Sequence, residues 1–279
     1  MNRRIFLHRS FSSAVVAKFG LGGSGFAKRR LSKIGLQLYT VRRELEKDFA
    51  GTLGKVAALG FVEVEFAGYF KHTPQEVRNI LARYQLSAPS AHITTAALRD
   101  NLQEAIDAAQ AIGHQYLVCG YLPAEERRSV GDYKKLVELF NRAGERLRRV
   151  GIQFGYHNHD FEFVTMDGKL PYDVILAGTD PQLVKMELDL YWITKGGQDP
   201  LKYFSIYPGR FPLVHVKDMD GTPKHFFTEV GQGTIDFGKI FAAAQKAGIK
   251  HYFVEQDETP ASPFSSIKLS MDYLKRLEF

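Results

Sequence analysis

The chain contains 279 residues, and its 37 lysines and arginines exceed its 31 aspartates and glutamates, for a formal net charge of +6. Apolar residues make up 44% of the sequence and charged residues 24%, which excludes a disordered chain, a collagen-like fibre and a low-complexity tract. Cys119 is the one cysteine, so the sequence also excludes an intramolecular disulfide framework and a cysteine-cluster zinc site.

The first 27 residues differ in composition from the rest of the chain. They hold four basic residues and no acidic one, so the remaining 252 residues carry a net charge of only +2. The motif RRIFL, which begins at Arg3, resembles a twin-arginine export signal, and the glycine-rich stretch after it is too short for a stable membrane span. The sequence therefore predicts an export signal at 1–27, a folded domain at 28–279, and a periplasmic or exported protein without a stable membrane anchor.

The folded domain alternates short apolar runs with longer amphipathic stretches, which is typical of alternating strands and helices. Eight strands are predicted, at residues 34–39, 62–66, 87–93, 114–120, 152–159, 184–190, 212–216 and 251–255. Helices are predicted at residues 49–59, from Thr73 and Pro74 onward, and at 98–112, 132–150, 171–178, 200–207, 237–247 and 262–277. Eight such units in about 250 residues favour a single (β/α)8 TIM barrel.

Polar residues cluster at the ends of the last four predicted strands, where the active site of such a barrel lies. The residues are His157, His159, Glu187, Asp189, His215, Lys217 and Glu255. Burying several carboxylates together is costly unless a cation neutralises them, and imidazole with carboxylate ligands suits Mn, Co, Zn or Fe. A histidine pair on one strand is often structural, but the repetition over four strand ends indicates one divalent metal.

Six segments of the chain together resemble the sugar phosphate isomerase/epimerase superfamily, the xylose isomerase-like TIM barrels, over about residues 33–279. The segments are IGLQLYTV at 34–41, GYHNHDFE at 155–162, ELDLYW at 187–192, HVKD at 215–218, VGQGT at 230–234 and FVEQD at 253–257. The resemblance implies the barrel fold and one divalent metal held by Glu, Asp, His and Glu from strands five to eight.

The ligand set implied by the resemblance matches this chain at three of four positions. Asp189, His215 and Glu255 stand where the family has Asp, His and the second Glu. His157 stands in place of the first Glu, and Glu162 follows a few residues later. Either His157 is the fourth ligand or Glu162 folds back to supply it.

The resemblance also implies a metal-dependent isomerase or epimerase that works through an enediolate. The export signal, and the lack of a clear phosphate-binding glycine loop in the sequence, favour an unphosphorylated sugar or keto-sugar as its substrate. In such enzymes the metal polarises a carbonyl and a protein base removes the neighbouring proton. We expect Glu255 or Glu162 to be that base and His159 to be its acid/base partner. Lys217 either neutralises an enediolate oxygen or forms a salt bridge with Asp218.

Four further residues are predicted to bind substrate. Tyr39 and His92 end the first and third strands and are expected to line the sugar pocket. Trp192 either stacks on a sugar ring or packs in the core. Glu187 either orients one of the site histidines or forms a buried structural ion pair.

Two other functions remain open at this point. A lyase or dehydratase could use the same metal on a keto-sugar or keto-glycoside, and the exported location and the histidine at position 157 favour this alternative. A non-catalytic sugar-binding barrel is the second alternative. The expected partner is a small sugar, with a homodimer as an analogy to the family, and a net charge of +2 gives little support for nucleic-acid binding.

Overall fold

Eight parallel strands close into a barrel in the computed structural model, which describes residues 29–259 and 262–279. The strands are β1 (Gly35–Gln37), β2 (Glu63–Phe66), β3 (Ser87–Ile93), β4 (Tyr116–Cys119), β5 (Gln153–His157), β6 (Val184–Asp189), β7 (Leu213–Val216) and β8 (His251–Val254). Each strand pairs with its two neighbours, and β1 closes the ring by pairing with both β2 and β8. The predicted TIM barrel fold is confirmed.

Helices follow the strands and form the outer layer of the barrel. Their bounds are Arg42–Lys47, Phe49–Ala58, Pro74–Tyr84, Thr95–Asp100, Leu102–Ile112, Val130–Arg149, Pro171–Gly178, Leu190–Lys195, Pro200–Ile206, Phe237–Ala242, Ala244–Ala247 and Pro263–Arg276. Local signals explain several starts. Thr73 and Glu76 form a capping box before Pro74, in which the Glu76 carboxylate accepts the Thr73 backbone N–H at 2.7 Å.

Several observed elements differ from the predicted ones, and the predicted helix at 237–247 is one of them, since it is observed as two helices. The helix expected at 98–112 is two helices, because Thr94 caps an earlier start and Asn101 has non-helical backbone angles (φ −132°, ψ 31°). The first strand ends at Gln37, whose side-chain carbonyl accepts the Tyr39 N–H at 3.0 Å and turns the chain into a 3₁₀ helix. The helix Leu190–Lys195 directly after β6 is not predicted from the sequence.

The apolar core lies mainly between the outer faces of the strands and the helices. Inside the barrel, a smaller apolar cluster of Tyr116, Val118, Leu213 and Phe253 fills the middle. Gly35 is required beside it, since a Cβ there would lie 2.5 Å from Cδ1 of Phe253. This apolar layer separates the polar side chains at the two ends of the barrel interior.

The predicted export signal at 1–27 lies outside the described residues. Within the described part of the chain, no helix is both long and apolar enough to span a bilayer. The backbones of Arg29 and Phe279 exchange two hydrogen bonds, of 2.8 and 3.0 Å, so the first and last described residues lie together.

Candidate active site

The inward-facing side chains at the carboxyl ends of the strands meet at one end of the barrel. The register brings them together, because His157 pairs with Glu187 across β5 and β6, and Asp189 pairs with His215 across β6 and β7. Alternation along each strand then sends these side chains into the barrel. The tertiary structure therefore collects residues that are far apart in the sequence, such as Glu65 and His215, which are 150 positions apart.

Four of these residues form what we call the outer ligand group: His157, Asp189, His215 and Glu255. One ligand atom from each lies within 4.8 Å of the other three. His215 Nδ1 lies 2.8 Å from Glu255 Oε2, and Asp189 Oδ2 lies 3.9 Å from both His157 Nε2 and His215 Nδ1. These four residues are the metal ligands expected from the sequence under the alternative in which His157, and not Glu162, is the fourth ligand.

Asp189 is oriented by the helix that follows it. Its Oδ1 accepts the backbone N–H groups of Tyr191 and Trp192 at 2.9 and 2.8 Å, as a helix N-cap does. Its other oxygen, Oδ2, is therefore directed toward the outer ligand group. Burial raises the pKa of Asp189 to about 6, against the opposing effect of the nearby Lys217 cation.

A second set of residues lies below the outer ligand group. Glu65, His92 and Glu187, which we call the inner tier, come from β2, β3 and β6. Glu65 Oε2 accepts from His215 Nε2 at 2.7 Å, and Glu187 Oε2 accepts from His92 Nε2 at 2.8 Å. His92 and Glu187, together with His157 and His215, also form a possible metal-ligand group.

Sequence analysis missed Glu65 because the segment VEVEF resembles an ordinary alternating strand with one solvated face. In a closed barrel neither face of a strand is solvated, so the glutamates of this strand point into the interior. Glu65 is fully buried. The alternation of valine and glutamate in this segment places both glutamates on one face of the strand. Only the closed barrel shows that this face is buried.

The histidines differ in charge because their surroundings differ. Burial opposes the imidazolium of His215, but Glu187 and Glu255 outweigh it and raise the pKa of His215 well above its usual range. Burial likewise opposes the charged form of His92, but Glu65 and Glu187 raise its pKa to about 10. For His157, burial and the neighbouring His215 lower the pKa well below its usual range. A neutral His157 is the form that binds a metal.

Lys217 is buried among three carboxylates. Its Nζ lies 2.8 Å from Glu255 Oε2, 3.1 Å from Asp189 Oδ2 and 3.1 Å from Asp257 Oδ2. The predicted alternative, a salt bridge with Asp218, is wrong. Adjacent strand residues point to opposite faces, and Asp218 instead accepts backbone N–H groups of the loop at Gly231 and Gly233, at 2.9 and 3.0 Å.

A cavity of about 590 Å³ opens above this cluster. Predicted site residues that line it are Tyr39, His92, His157, His159, Lys217 and Glu255. Asp257 also lines the cavity, and sequence analysis missed it. Asp257 could have been predicted from the sequence, because it lies two residues after Glu255 and alternation places it on the same face of the chain. The cavity size falls within the range that holds small-molecule ligands.

Five predicted site residues are not among the described residues that line this cavity. They are Asp189 and His215 of the outer ligand group, and Glu162, Glu187 and Trp192. Glu162 is fully buried behind β5, where it accepts the His159 N–H at 2.8 Å and the Tyr156 hydroxyl. Burial raises the pKa of Glu162 to about 7. Glu187 is fully buried in the inner tier, and Trp192 packs against His159 with ring centroids 5.5 Å apart. Of the two alternatives for the fourth ligand, the geometry therefore favours His157.

The closed barrel and the imidazole–carboxylate cluster at the carboxyl ends of its strands define a (β/α)8 barrel with a buried polar site. Residues 53–277 match the family model described as the xylose isomerase-like TIM barrel. The chain belongs to this family.

Comparison with individual proteins finds relatives named inosose dehydratase. The chain is 30% identical to that of Lacticaseibacillus casei over 162 residues, which cover 51% of this chain and 54% of the relative. This match thus spans about half the length of the relative. The chain is also 26% identical to that of Geobacillus kaustophilus over 266 residues, covering 81% of this chain and 86% of the relative.

A solved structure has a similar fold over nearly the whole chain. It is a sugar phosphate isomerase/epimerase from Parabacteroides distasonis, with a TM-score of 0.77 and 28% sequence identity. The superposition covers 94% of this chain and 98% of that one.

Proposed function

We propose that this protein is a lyase that eliminates water or an alcohol from a keto-sugar or keto-glycoside with the help of a divalent metal ion. The observation that carries the proposal is that the cavity lined by Lys217, His159 and Asp257 reaches the outer ligand group through two of its members, His157 and Glu255. The names of the relatives, inosose dehydratase, favour elimination over the isomerisation or epimerisation that the resemblance first implies.

The outer ligand group fits a divalent first-row ion. It offers two imidazole nitrogens and two carboxylate oxygens, the donor types that Mn, Co, Zn and Fe accept. Asp189 Oδ2 is buried without a hydrogen-bond partner among the described residues, and His157 is neutral as a ligand requires. An ion held by these four residues would supply Lewis-acid polarisation of a substrate carbonyl.

Lys217 provides a fixed positive charge at the same cavity. Its side chain is only 1% exposed, so its ammonium acts in a medium of low dielectric constant. There it stabilises the negative charge that develops on the carbonyl oxygen when the neighbouring carbon loses its proton.

Asp257 is the carboxylate available for proton transfer. It lines the cavity and lies outside the outer ligand group, whereas Glu255 belongs to that group. In the proposed step, Asp257 accepts the proton from the carbon beside the carbonyl, and a carbon–carbon double bond forms as the carbon–oxygen bond breaks. Asp257 then gives this proton to the departing oxygen, so water or an alcohol leaves and the carboxylate is restored.

His159 orients the sugar. Burial lowers its pKa to about 3, so it presents an uncharged imidazole that can hydrogen-bond a sugar hydroxyl. The ring is stacked on Phe161, with centroids 5.3 Å apart and planes within 6°. Because the ring is held in place, hydrogen bonding to it costs little side-chain entropy.

Product analysis tests the proposal. The protein is incubated with inosose, and separately with a keto-glycoside of nitrophenol, without metal and with added Mn²⁺, Co²⁺ or Zn²⁺. Elimination releases nitrophenol and leaves an unsaturated ketone. A product of unchanged mass would identify an isomerase or epimerase instead, and binding without turnover under every condition would identify a sugar-binding barrel.

Two variants separate metal binding from proton transfer. Asp257→Asn is expected to lower turnover about 10²- to 10⁴-fold, as the loss of an acid/base group does, while its metal content stays unchanged. Asp189→Ala is expected to lose both metal and turnover. Glu63→Gln, a neutralised buried glutamate at the other end of the barrel, is the matched control and keeps both. Full turnover by Asp257→Asn would remove Asp257 from the mechanism.

A further inference from the structure

The two carboxylates of the inner tier, Glu65 and Glu187, do not line the cavity, yet they lie close to both histidines of the outer ligand group. Glu65 and Glu187 are fully buried, and neither is among the described residues that line the cavity. Both carboxylates direct one oxygen, Oε2, toward histidine nitrogens. Their arrangement points to an effect on the ligands rather than on the sugar.

Each ligand histidine lies between two sets of carboxylates. Glu187 Oε2 lies 3.2 Å from His215 Nε2 and 3.4 Å from His157 Nδ1. The opposite nitrogens face the outer carboxylates, with His215 Nδ1 2.8 Å from Glu255 and His157 Nε2 3.9 Å from Asp189. One nitrogen of each ring thus faces the inner tier, and the other faces the outer ligand group.

A neutral imidazole has one N–H and one lone pair, on different nitrogens. A carboxylate can only accept a hydrogen bond, so it favours the tautomer with the proton on the nitrogen that faces it. The lone pair then lies on the opposite nitrogen. For the same reason a neutral ring cannot serve the outer and the inner possible ligand groups at once.

The inner tier is held rigidly. Gln37 Nε2 donates to Glu65 Oε2 at 2.7 Å, and His92 Nε2 lies 2.8 Å from Glu187 Oε2 and 3.3 Å from Glu65 Oε2. The His92 ring also packs against Gly120, where a Cβ would lie 2.2 Å from His92 Nδ1. His92 can therefore hold the two carboxylates together without moving.

We propose that Glu65 and Glu187 are positioning residues that select the metal-binding tautomers of His157 and His215. Glu65 accepts the proton of His215 Nε2 at 2.7 Å, and the charge of Glu187, 3.4 Å from His157 Nδ1, favours the proton of His157 on that nitrogen. When an ion binds, His215 would give up its other proton, and the lone pairs of His157 Nε2 and His215 Nδ1 would face the outer ligand group. The inference rests on the metal site of the proposed function. It adds that the position of the metal is decided by carboxylates that touch neither the ion nor the sugar.

Nuclear magnetic resonance of the unmodified protein tests the tautomers directly. Protein with ¹⁵N-labelled histidine is titrated with Zn²⁺, and long-range proton–nitrogen correlations identify the protonated nitrogen of each ring. We expect the proton on Nε2 of His215 and on Nδ1 of His157. Zn²⁺ bound through His215 Nε2 would overturn the inference while leaving a metal site, whereas failure to bind Zn²⁺ at all would overturn the proposed metal site as well.

Variants test the same inference through the affinity for Co²⁺, followed by its visible absorption. Glu187→Leu removes the acceptor and is expected to weaken binding about 10- to 100-fold, with one ion still bound at saturation. Glu187→Gln keeps an acceptor oxygen and is expected to recover part of the affinity. Glu63→Gln neutralises a buried glutamate on the same strand as Glu65, bonded to His251 at 2.9 Å, and should leave Co²⁺ binding unchanged.

Two outcomes of this second experiment would overturn the inference. Equal Co²⁺ affinity in Glu187→Leu and the unmodified protein would show that Glu187 does not influence the ligands. Complete loss of bound Co²⁺ from folded Glu187→Leu, as expected for Asp189→Ala, would show that Glu187 is itself a ligand.

Discussion

Both ends of the barrel interior bury glutamate against histidine, but they balance charge in different ways. At the amino-terminal end, Glu63 accepts from His251 Nδ1 at 2.9 Å, and Lys33 Nζ lies 3.8 Å from its other oxygen. At the carboxyl-terminal end, the ammonium of Lys217 and the imidazoles of His92, His157 and His215 lie among five carboxylates. The carboxylates there are Glu65, Glu187, Asp189, Glu255 and Asp257.

The difference shows which end is structural and which is available for chemistry. Both oxygens of Glu63 lie near a basic side chain of the protein, so its charge is compensated without a bound ion or ligand. At the other end, Glu65 Oε1 and Glu187 Oε1 are buried without hydrogen-bond partners among the described residues. Asp189 Oδ2 also lacks a hydrogen bond there, although the ammonium of Lys217 lies 3.1 Å away. Buried acceptors in such numbers destabilise a fold unless a cation or ligand compensates for them.

Removal of two residues of the outer ligand group, Asp189 and His215, should produce the largest effect, which is the loss of the bound metal ion. We expect about one divalent ion per chain in the protein purified without an affinity chelate, and none in the Asp189→Ala/His215→Ala variant. Elemental analysis by mass spectrometry measures the ion, and Glu63→Gln is the control that should retain it. An ion that remains in the double variant would show that the carboxyl-terminal cluster is not its site.

Lys217→Met should have the next largest effect, on stability. Removing the ammonium leaves its carboxylate partners uncompensated, which costs about 3–5 kcal/mol in the metal-free protein. Urea unfolding measures this free energy, and added Zn²⁺ should restore part of it because the ion replaces the lost charge. Lys268→Met, at an exposed pair with Asp272, is the control and should cost no more than about 0.5 kcal/mol. An equally small effect at Lys217 would contradict the charge balance described above.

Glu162→Gln should change how stability depends on pH. Burial raises the pKa of Glu162 from its ordinary 4.5 to about 7, so the folded protein keeps a proton that the unfolded chain has released. This carboxyl therefore lowers the stability of the fold as the pH rises from 4.5 to 7, by about 3 kcal/mol in all. The glutamine variant should lose that decline. Parallel pH–stability curves for the two proteins would refute the assignment.

Glu63→Gln should have the smallest effect on the protein. It should lower the free energy of unfolding slightly and leave metal binding and turnover unchanged. It weakens a buried hydrogen bond to His251 and should cost about 1–3 kcal/mol in the free energy of unfolding. Co²⁺ affinity and turnover should match those of the unmodified protein. A large loss of Co²⁺ affinity would mean that the two ends of the barrel are coupled through the apolar layer between them.

Local sequence signals predicted much of the fold. The strand at residues 87–93 and the helix at 171–178 have the bounds that the sequence predicts. Such elements depend on periodicity, proline and glycine, which act within a few residues. The break at Asn101 and the early start at Thr94 were missed, because the apolar pattern continues through both.

The candidate site was predicted less completely. The types of residue at the strand ends indicated the outer ligand group, and the structure brings all four of its members together. Glu65 and Asp257 were not predicted as site residues, and Lys217 was paired with Asp218, whereas its aspartate partners in the structure are Asp189 and Asp257. Lys217 and Asp218 were taken as partners because they are neighbours along the chain. Side-chain alternation instead directs adjacent residues of an extended segment to opposite faces.

The sequence by itself determined the eight strand–helix units and the chemical types of the side chains at their ends, because alternation and helical periodicity are properties of short segments. Only the tertiary structure decided which atoms meet. Glu65 and His215 are 150 residues apart, and their side chains lie 2.7 Å from each other, since closure of the barrel through β1 and β8 lets side chains from β2 and β7 meet in its interior. Contacts of this kind depend on strand order and closure, which no local pattern specifies.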